Sequence, residues 1–281
     1  MSKNKLLAQY GLKYNPFLPA IPDEDLWTPT GFDMFFFRLE NIVLDGGFAM
    51  ITGEPGLGKS KILQLLSARL RQIGDLVVGV MERPQSTLGD FYRELGDLFG
   101  INLSISNRYG GFKSLRAKWK AHIAATLFKP VLLIDEAKEM PTQCLNEIRL
   151  LGSVHFDSDC LLTTVLCGDR RLPDRLRETA LLPLGTRIRS RLVLDPFARD
   201  DLAALLEHLL AAAGAPHLMS DELKKIIVEH CAGNPRILLQ QGAELLDHAI
   251  DKNLSILDEK LFLETFGILQ RPSKRKKNTA Q

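Results

Sequence analysis

Apolar positions follow two regimes along the chain, and the change falls near Asp195-Pro196. Before it, short runs that are apolar throughout alternate with longer stretches of helical spacing. FAMIT (48–52), LVVGVME (76–82), PVLLI (130–134) and LLTTVLC (161–167) read as strands; 32–44, 59–73, 86–99, 112–127 and the stretch after Pro141 read as helices. Strands apolar on both faces need cover on both faces, which predicts an α/β fold with a parallel sheet sandwiched by helices over 31–196. After it, 202–213, 223–231, 237–250 and 259–266 carry helical periodicity with no strand pattern between them, which predicts a small all-helical domain over 197–269. Residues 1–30 are rich in proline and aromatics and read as an extended lead-in; 270–281 read as a basic tail. No repeat recurs at a fixed period.

The first strand runs into TGEPGLGKS, 52–60, and the next helix starts there. The spacing GxxxxGK[S/T] between a strand and a helix lets backbone amides approach phosphate oxygens closely. Gly53, Glu54, Pro55, Gly56, Leu57, Gly58, Lys59, Ser60 and Lys61 are therefore the candidate nucleotide contacts. In this pattern Lys59 reaches the β- and γ-phosphates and Ser60 ligates Mg²⁺. A strand ending in two adjacent carboxylates, as VLLIDEA does, is costly unless they meet a cation. That assigns Asp135 to the metal and Glu136 to the attacking water. A second acid of this kind, with no Asn-Lys-x-Asp segment for guanine, favours ATP over GTP. The glycine-rich strand and the Asp-Glu strand are expected to be adjacent in the sheet. Thr164 or Asp169, on or after the 161–167 strand, is the candidate sensor of the γ-phosphate.

In LGTRIRSRLVLDPF, alternation places Arg187, Arg189 and Arg191 on one face of a last strand. Two readings stand. One is a solvated basic face; the other has one of them, Arg187 by preference, reaching the γ-phosphate held by a neighbouring subunit. CAGNPRIL, 231–238, ends one helix and starts another, with Arg236 in its first turn, placed to swing toward a nucleotide.

Composition narrows the setting. The chain of 281 residues is 45% hydrophobic and 25% charged, with a net charge of +2. No stretch is long and apolar enough for a membrane span, and the start lacks the apolar core of a signal peptide, so a cytoplasmic protein with no membrane partner is expected. The four cysteines form no CxxC pair and are expected to be reduced and mostly buried. Charge is uneven: the end, RPSKRKKNTAQ, holds five basic groups and no acid, and RYGGFKSLRAKWK (108–120) is basic around Trp119. Each reads either as a solvated face or as a contact to nucleic-acid phosphates.

GEPGLGKS, LLIDEA, the arginines before the last strand and a helical lid with GNPR together resemble the AAA+ ATPases. YGLKYNPF, LCGDRRLPDRL and TRIRSRLVLDPF are similar to the ExeA-like group within them, which includes ATPases of general secretion and transposition regulators related to phage Mu B and TnsC. The resemblance runs from about Tyr10 to about Leu269. It implies ATP and Mg²⁺ as ligands, catalytic roles for Lys59, Glu136, Arg187 and Arg236, and a homo-oligomer, ring or helical filament. It further implies binding to duplex DNA and recruitment of a transposase. Two departures bear on this. Secretion members continue into a membrane helix and an extracytoplasmic part, which this sequence does not show; and Gly168-Asp169-Arg170 stands where Gly-Gln-Pro is frequent. The transposition reading is therefore preferred, beside two alternatives: an ATPase acting on a secretion or envelope partner protein, and a slow nucleotide-gated binding switch.

Overall fold

The computed structural model describes residues 9–83, 87–103, 107–156 and 158–267. The expected basic tail, 270–281, lies outside them. The chain divides into two compact units, Thr28–Pro196 and a second made of the residues up to Trp27 together with those from Phe197 onward.

In the first unit the strands are β1 (Gly47–Gly53), β2 (Val78–Met81), β3 (Val131–Ile134), the short pair β4 (Ser153–Val154) and β5 (Asp159–Cys160), β6 (Thr163–Gly168) and β7 (Ile188–Leu194). Helices α1 (Phe32–Asp45), α2 (Lys59–Arg71), α3 (Leu88–Phe99), α4 (Arg108–Thr126) and α5 (Thr142–Gly152), with the short α6 (Arg171–Arg175) and α7 (Leu182–Gly185), surround them. The five long strands form one sheet in the order β2-β3-β6-β1-β7 with every pairing parallel. β1, β3 and β6 are buried at every position, the signature of a sheet covered on both sides.

The expected adjacency of the glycine-rich strand and the Asp-Glu strand does not hold, because β6 lies between β1 and β3 and pairs with both. Periodicity reports that a strand is buried but carries no record of its neighbours, which depend on long crossovers.

One side of the sheet is filled by Phe91, Leu95, Phe99, Leu115 and Trp119, all nearly inaccessible to water. Phe99 and Trp119 meet edge to face at 5.3 Å. Full burial of such side chains stabilises by roughly 1.5–3 kcal/mol each.

The second unit consists of α8 (Arg199–Ala212), α9 (Asp221–His230), α10 (Pro235–Asp251) and α11 (Glu259–Phe266), with residues 9–27. The sequence reads these N-terminal residues as a lead-in; in the structure they complete the helical core. Leu12 and Phe17 are buried in it, Lys13 N donates to Ala213 O at 2.8 Å, and the Tyr10 hydroxyl donates to Leu254 O at 2.7 Å. Prolines at 16, 19 and 22 keep the segment from a long helix or a ladder, leaving a short 3-10 turn at Asp23–Asp25. Its aromatics supply the apolar area instead.

All four cysteines are free, and Cys144, Cys167 and Cys231 are buried. No helix among the described residues is long and apolar enough to cross a membrane.

Candidate functional site

β1 ends at Gly53 and α2 begins at Lys59, so residues 54–58 form a loop at the carboxyl end of the sheet. Gly58 caps α2 with φ 86°, a backbone region that an L side chain enters at a cost, and a Cβ there would meet nothing within 4 Å. The unmatched amides and positive end of α2 therefore face an open space, the physical condition for holding an anion. Lys59 is 7% exposed, and its ammonium donates to Gly53 O at 3.0 Å and Glu54 O at 3.1 Å. Carbonyls of the loop thus hold a charge that triphosphate oxygens would meet better. Lys61 points along its own helix to Gln64 Oε1 at 2.8 Å.

Asp135 and Glu136 follow β3 at the same end of the sheet. The Ser60 hydroxyl donates to Asp135 Oδ2 at 2.7 Å, joining the start of α2 to the end of β3 across the width of β6. Glu136 takes a left-handed backbone, φ 47° and ψ 39°, with its N–H on Asp135 Oδ1 at 2.8 Å. This turn of a non-glycine residue costs on the order of 1 kcal/mol and aims the two neighbouring carboxyls differently. Glu136 Oε2 is shut off from water without a hydrogen bond among the described residues; Lys138 Nζ lies 3.7 Å from it, inside ion-pair range but too far to donate.

Asp169 follows β6 at this same end. It receives Lys138 Nζ at 2.6 Å, Arg171 Nη2 at 2.7 Å and the Arg171 N–H at 3.0 Å. Arg171, with Lys138 behind it, holds the carboxyl well below the usual carboxylate range against the opposing effect of burial. Burial pushes the Cys167 thiol, beside Asp135, upward, and the carboxylates of Asp135 and Glu136 add to the shift. This thiol is therefore inert packing under the acid pair.

Of the two candidate sensors, only Asp169 lies with the acid pair. Thr164 pairs with Phe48 and Leu132 at the opposite end of the sheet, about 13 Å of strand away from Gly168. It is a buried strand residue.

The expectation of three arginines on one face fails as well. β7 pairs Ile188 with Phe48 and Ser190 with Ala49, so Arg189 is an extra residue in a bulge, and Arg187 precedes the strand. Arg187 and Arg189 line one cleft and Arg191 another. Arg236 is exposed in the first turn of α10, where its N–H bonds to the Asn234 cap at 3.0 Å.

On α4, Arg108 bonds Glu147, Arg116 donates to the carbonyls of Leu150 and Leu151 at 3.1 and 3.2 Å, and Lys118 donates to Gly100 O at 3.0 Å. Those cations brace neighbouring helix ends. Lys113 and Lys120 are left exposed.

Two residues of the site have no role in the sequence reading. Lys138 ties Glu136 to Asp169; its signal was a lysine two places after an acid pair. Arg170 joins Glu54 to Asp195, at 3.2 Å to each, and no local pattern marks it.

Comparisons with known proteins bear on the fold that carries these residues. Residues 43–176 match the family model described as AAA domain. The chain is 30% identical over 172 residues to General secretion pathway protein A of Aeromonas hydrophila, covering 60% of this chain but only 30% of that protein. Among solved structures it resembles the Aeropyrum pernix ORC2 protein in ADPNP–ADP complexes, with a TM-score of 0.69, 15% identity, and coverage of 90% of this chain and 71% of that one. It also resembles Drosophila ORC bound to DNA, with a TM-score of 0.68, 17% identity and coverage of 94% and 65%. The fold is thus that of AAA+ P-loop proteins, a parallel sheet between helices with a helical part following.

Proposed function

We propose that this protein binds ATP with Mg²⁺ between the 53–61 loop and the acid pair, hydrolyses it, and uses the bound triphosphate to hold copies of itself together on duplex DNA. The observation that carries the nucleotide reading is the Ser60–Asp135 hydrogen bond of 2.7 Å. A hydroxyl and a carboxylate already in contact, beside a buried lysine and a helix start, form the oxygen donor set that a hard divalent cation takes alongside phosphate oxygens. Bound there, Mg²⁺ would neutralise charge on the phosphates.

Glu136 accepts a proton from the attacking water as its oxygen bonds to the γ-phosphorus. The bond to the β–γ bridging oxygen breaks, leaving ADP and phosphate. A carboxylate with one oxygen lacking a hydrogen-bond partner is ready for that proton. Lys59 stabilises charge on the transferring group. Arg187 precedes β7, whose register along β1 sets it about 20 Å of strand from Gly53, beyond the reach of its own side chain. A catalytic role for Arg187 is therefore in trans, and hydrolysis requires assembly as a ring or helical filament. The resemblance to AAA+ ATPases also assigns a catalytic role to Arg236, in the first turn of α10.

The DNA reading, with a transposase as client, rests on the exposed Lys113 and Lys120, on the basic end of the chain, and on a solved structure of similar fold with DNA bound. A second reading, an ATPase acting on a protein of secretion, is favoured by the 30% identity to General secretion pathway protein A. Retention of duplex DNA in a gel at low salt, with ATP and with ADP, separates them. ATP-dependent retention supports the first, and none supports the second. ATP binding and turnover test the shared core: Lys59→Ala is expected to lose ATP binding, and wild-type affinity in that variant would refute the site.

A further inference from the structure

The sheet ends on one side at β7, which pairs with β1 alone. Alternate residues of a strand turn their N–H and C=O groups to opposite neighbours, so β7 carries a second row of donors and acceptors facing away from β1. No backbone group among the described residues bonds to that row. The row is long: β7 has seven residues, against four in β2 at the other edge. Sheets cover or blunt such an edge, because an open one pairs with any extended chain that reaches it. Past the bulge, Ser190, Leu192 and Leu194 are buried, while Arg191 and Val193 share the other face and are exposed. Arg189 reaches Asp45 at 3.7 Å, whereas Arg191 makes no ion pair or hydrogen bond among the described residues. Met50 stands beside Arg191 in register, and on their face lies a cavity of about 210 Å³, walled also by Pro173, Leu176, Leu182 and Arg177. Arg177 is already paired with Asp174 at 2.9 Å, so the unmatched charge at this opening is that of Arg191. Leu182 is 47% exposed and Val193 54%, which leaves apolar surface open to water beside that charge.

We propose that the free edge of β7 is a docking site for an extended acidic segment of a partner protein. The segment adds to the sheet as a sixth strand, sets a carboxylate against Arg191 and lays an apolar side chain against Val193 and the cavity beside Leu182. The edge itself selects the polymer. A row of alternating donors and acceptors is matched by another polypeptide backbone, which offers both, whereas nucleic-acid phosphates only accept. Arg191 selects the sign of the charge. Side chains directly opposite on neighbouring strands have Cβ atoms roughly 5 Å apart, within reach of a carboxylate–guanidinium pair. Residues 1–8 and 268–281 carry basic groups and no acid, so neither matches the site. Docking of this kind uses the side of the sheet and needs neither ATP nor a second copy of the chain.

Fluorescein-labelled peptides of about seven residues, long enough to span β7, test this by fluorescence anisotropy with the full-length protein and no nucleotide. The probe places glutamate and leucine alternately on one face of a strand, with threonines between them. A version with lysine for glutamate is expected to bind about fivefold to tenfold more weakly, and Arg191→Glu should reverse that preference. Two further versions carry N-methyl groups on alternate amides, one on each set. An added strand bonds β7 through one set only, so one version should keep its affinity within about threefold and the other should lose binding. Equal binding of the glutamate and lysine probes overturns the proposal, as does a like effect of both methylated sets. Absence of binding by every probe at about 1 mM overturns it too. A duplex oligonucleotide that binds wild type but not Arg191→Glu, with the peptides silent, assigns the arginine to nucleic acid and equally overturns it. Should Arg191→Glu fail to fold, Arg191→Ala replaces it and the preference for glutamate should vanish; the methylated probes decide on the wild-type protein in either case.

Discussion

The Ser60 hydroxyl and the Asp135 carboxylate, 75 residues apart in sequence, meet at 2.7 Å although the strands that lead to them, β1 and β3, are separated by β6. The pair joins the helix that follows the phosphate loop to the strand that ends in acids. Asp135→Asn keeps the size of the side chain and removes its charge. ATP turnover is expected to fall by roughly a hundredfold or more, and Mg²⁺ should no longer strengthen nucleotide binding. Titrating ATP affinity against Mg²⁺ checks this; an unchanged Mg²⁺ dependence removes Asp135 from the metal site.

Arg187→Ala should retain nucleotide affinity and lose hydrolysis, because the arginine's own loop lies at the far end of the sheet. Wild-type turnover should also fall as the protein is diluted below its assembly concentration, whereas a side chain acting within one copy gives a rate per molecule independent of dilution. Activity retained in Arg187→Ala at any dilution removes its role in trans.

Asp169 gives a pH prediction whose sign follows from its partners. Arg171 and Lys138 hold its carboxyl well below the usual value, so the folded state binds this proton less readily than the unfolded chain does. The stability it contributes is complete above the unfolded value of about 3.9 and is lost as pH falls through the lower folded value. Asp169→Asn should therefore be less stable than wild type near neutral pH, with the gap closing below pH of about 4. Urea midpoints at a series of pH values measure the gap; one that stays constant into acid contradicts the ion-pair account.

Gly242, inside α10, is expected to reverse the usual rule that alanine improves a helix. A Cβ there would lie 2.4 Å from Cδ1 and 2.6 Å from Cε1 of Phe17, a buried ring that would have to shift. The helix gain of about 1 kcal/mol is outweighed by overpacking of about 1–3 kcal/mol, so Gly242→Ala should lower the melting temperature. A rise would mean that the N-terminal segment does not pack on this helix in solution.

Much of this was legible in the sequence for a local reason. The 53–61 loop, Asp135-Glu136 and the helices around them are written in neighbouring residues, and α11 begins and ends at the residues that periodicity indicates. What failed depended on distant partners. Insertion of β6 between β1 and β3 is decided by crossovers, and the bulge at Arg189 by its register with β1. Arg108, Arg116 and Lys118 looked like a free basic face because Glu147 and the open carbonyls they bind lie in other elements. Lys138 was missed because its meaning comes from a third residue, Asp169.

The most direct test of the account is the mass of Glu136→Gln assemblies measured by sedimentation with Mg²⁺ and either ATP or ADP. The account predicts large assemblies with ATP that fall to single copies with ADP, and none with ATP when Lys59→Ala is added. The same mass with both nucleotides would contradict the claim that the γ-phosphate holds copies together.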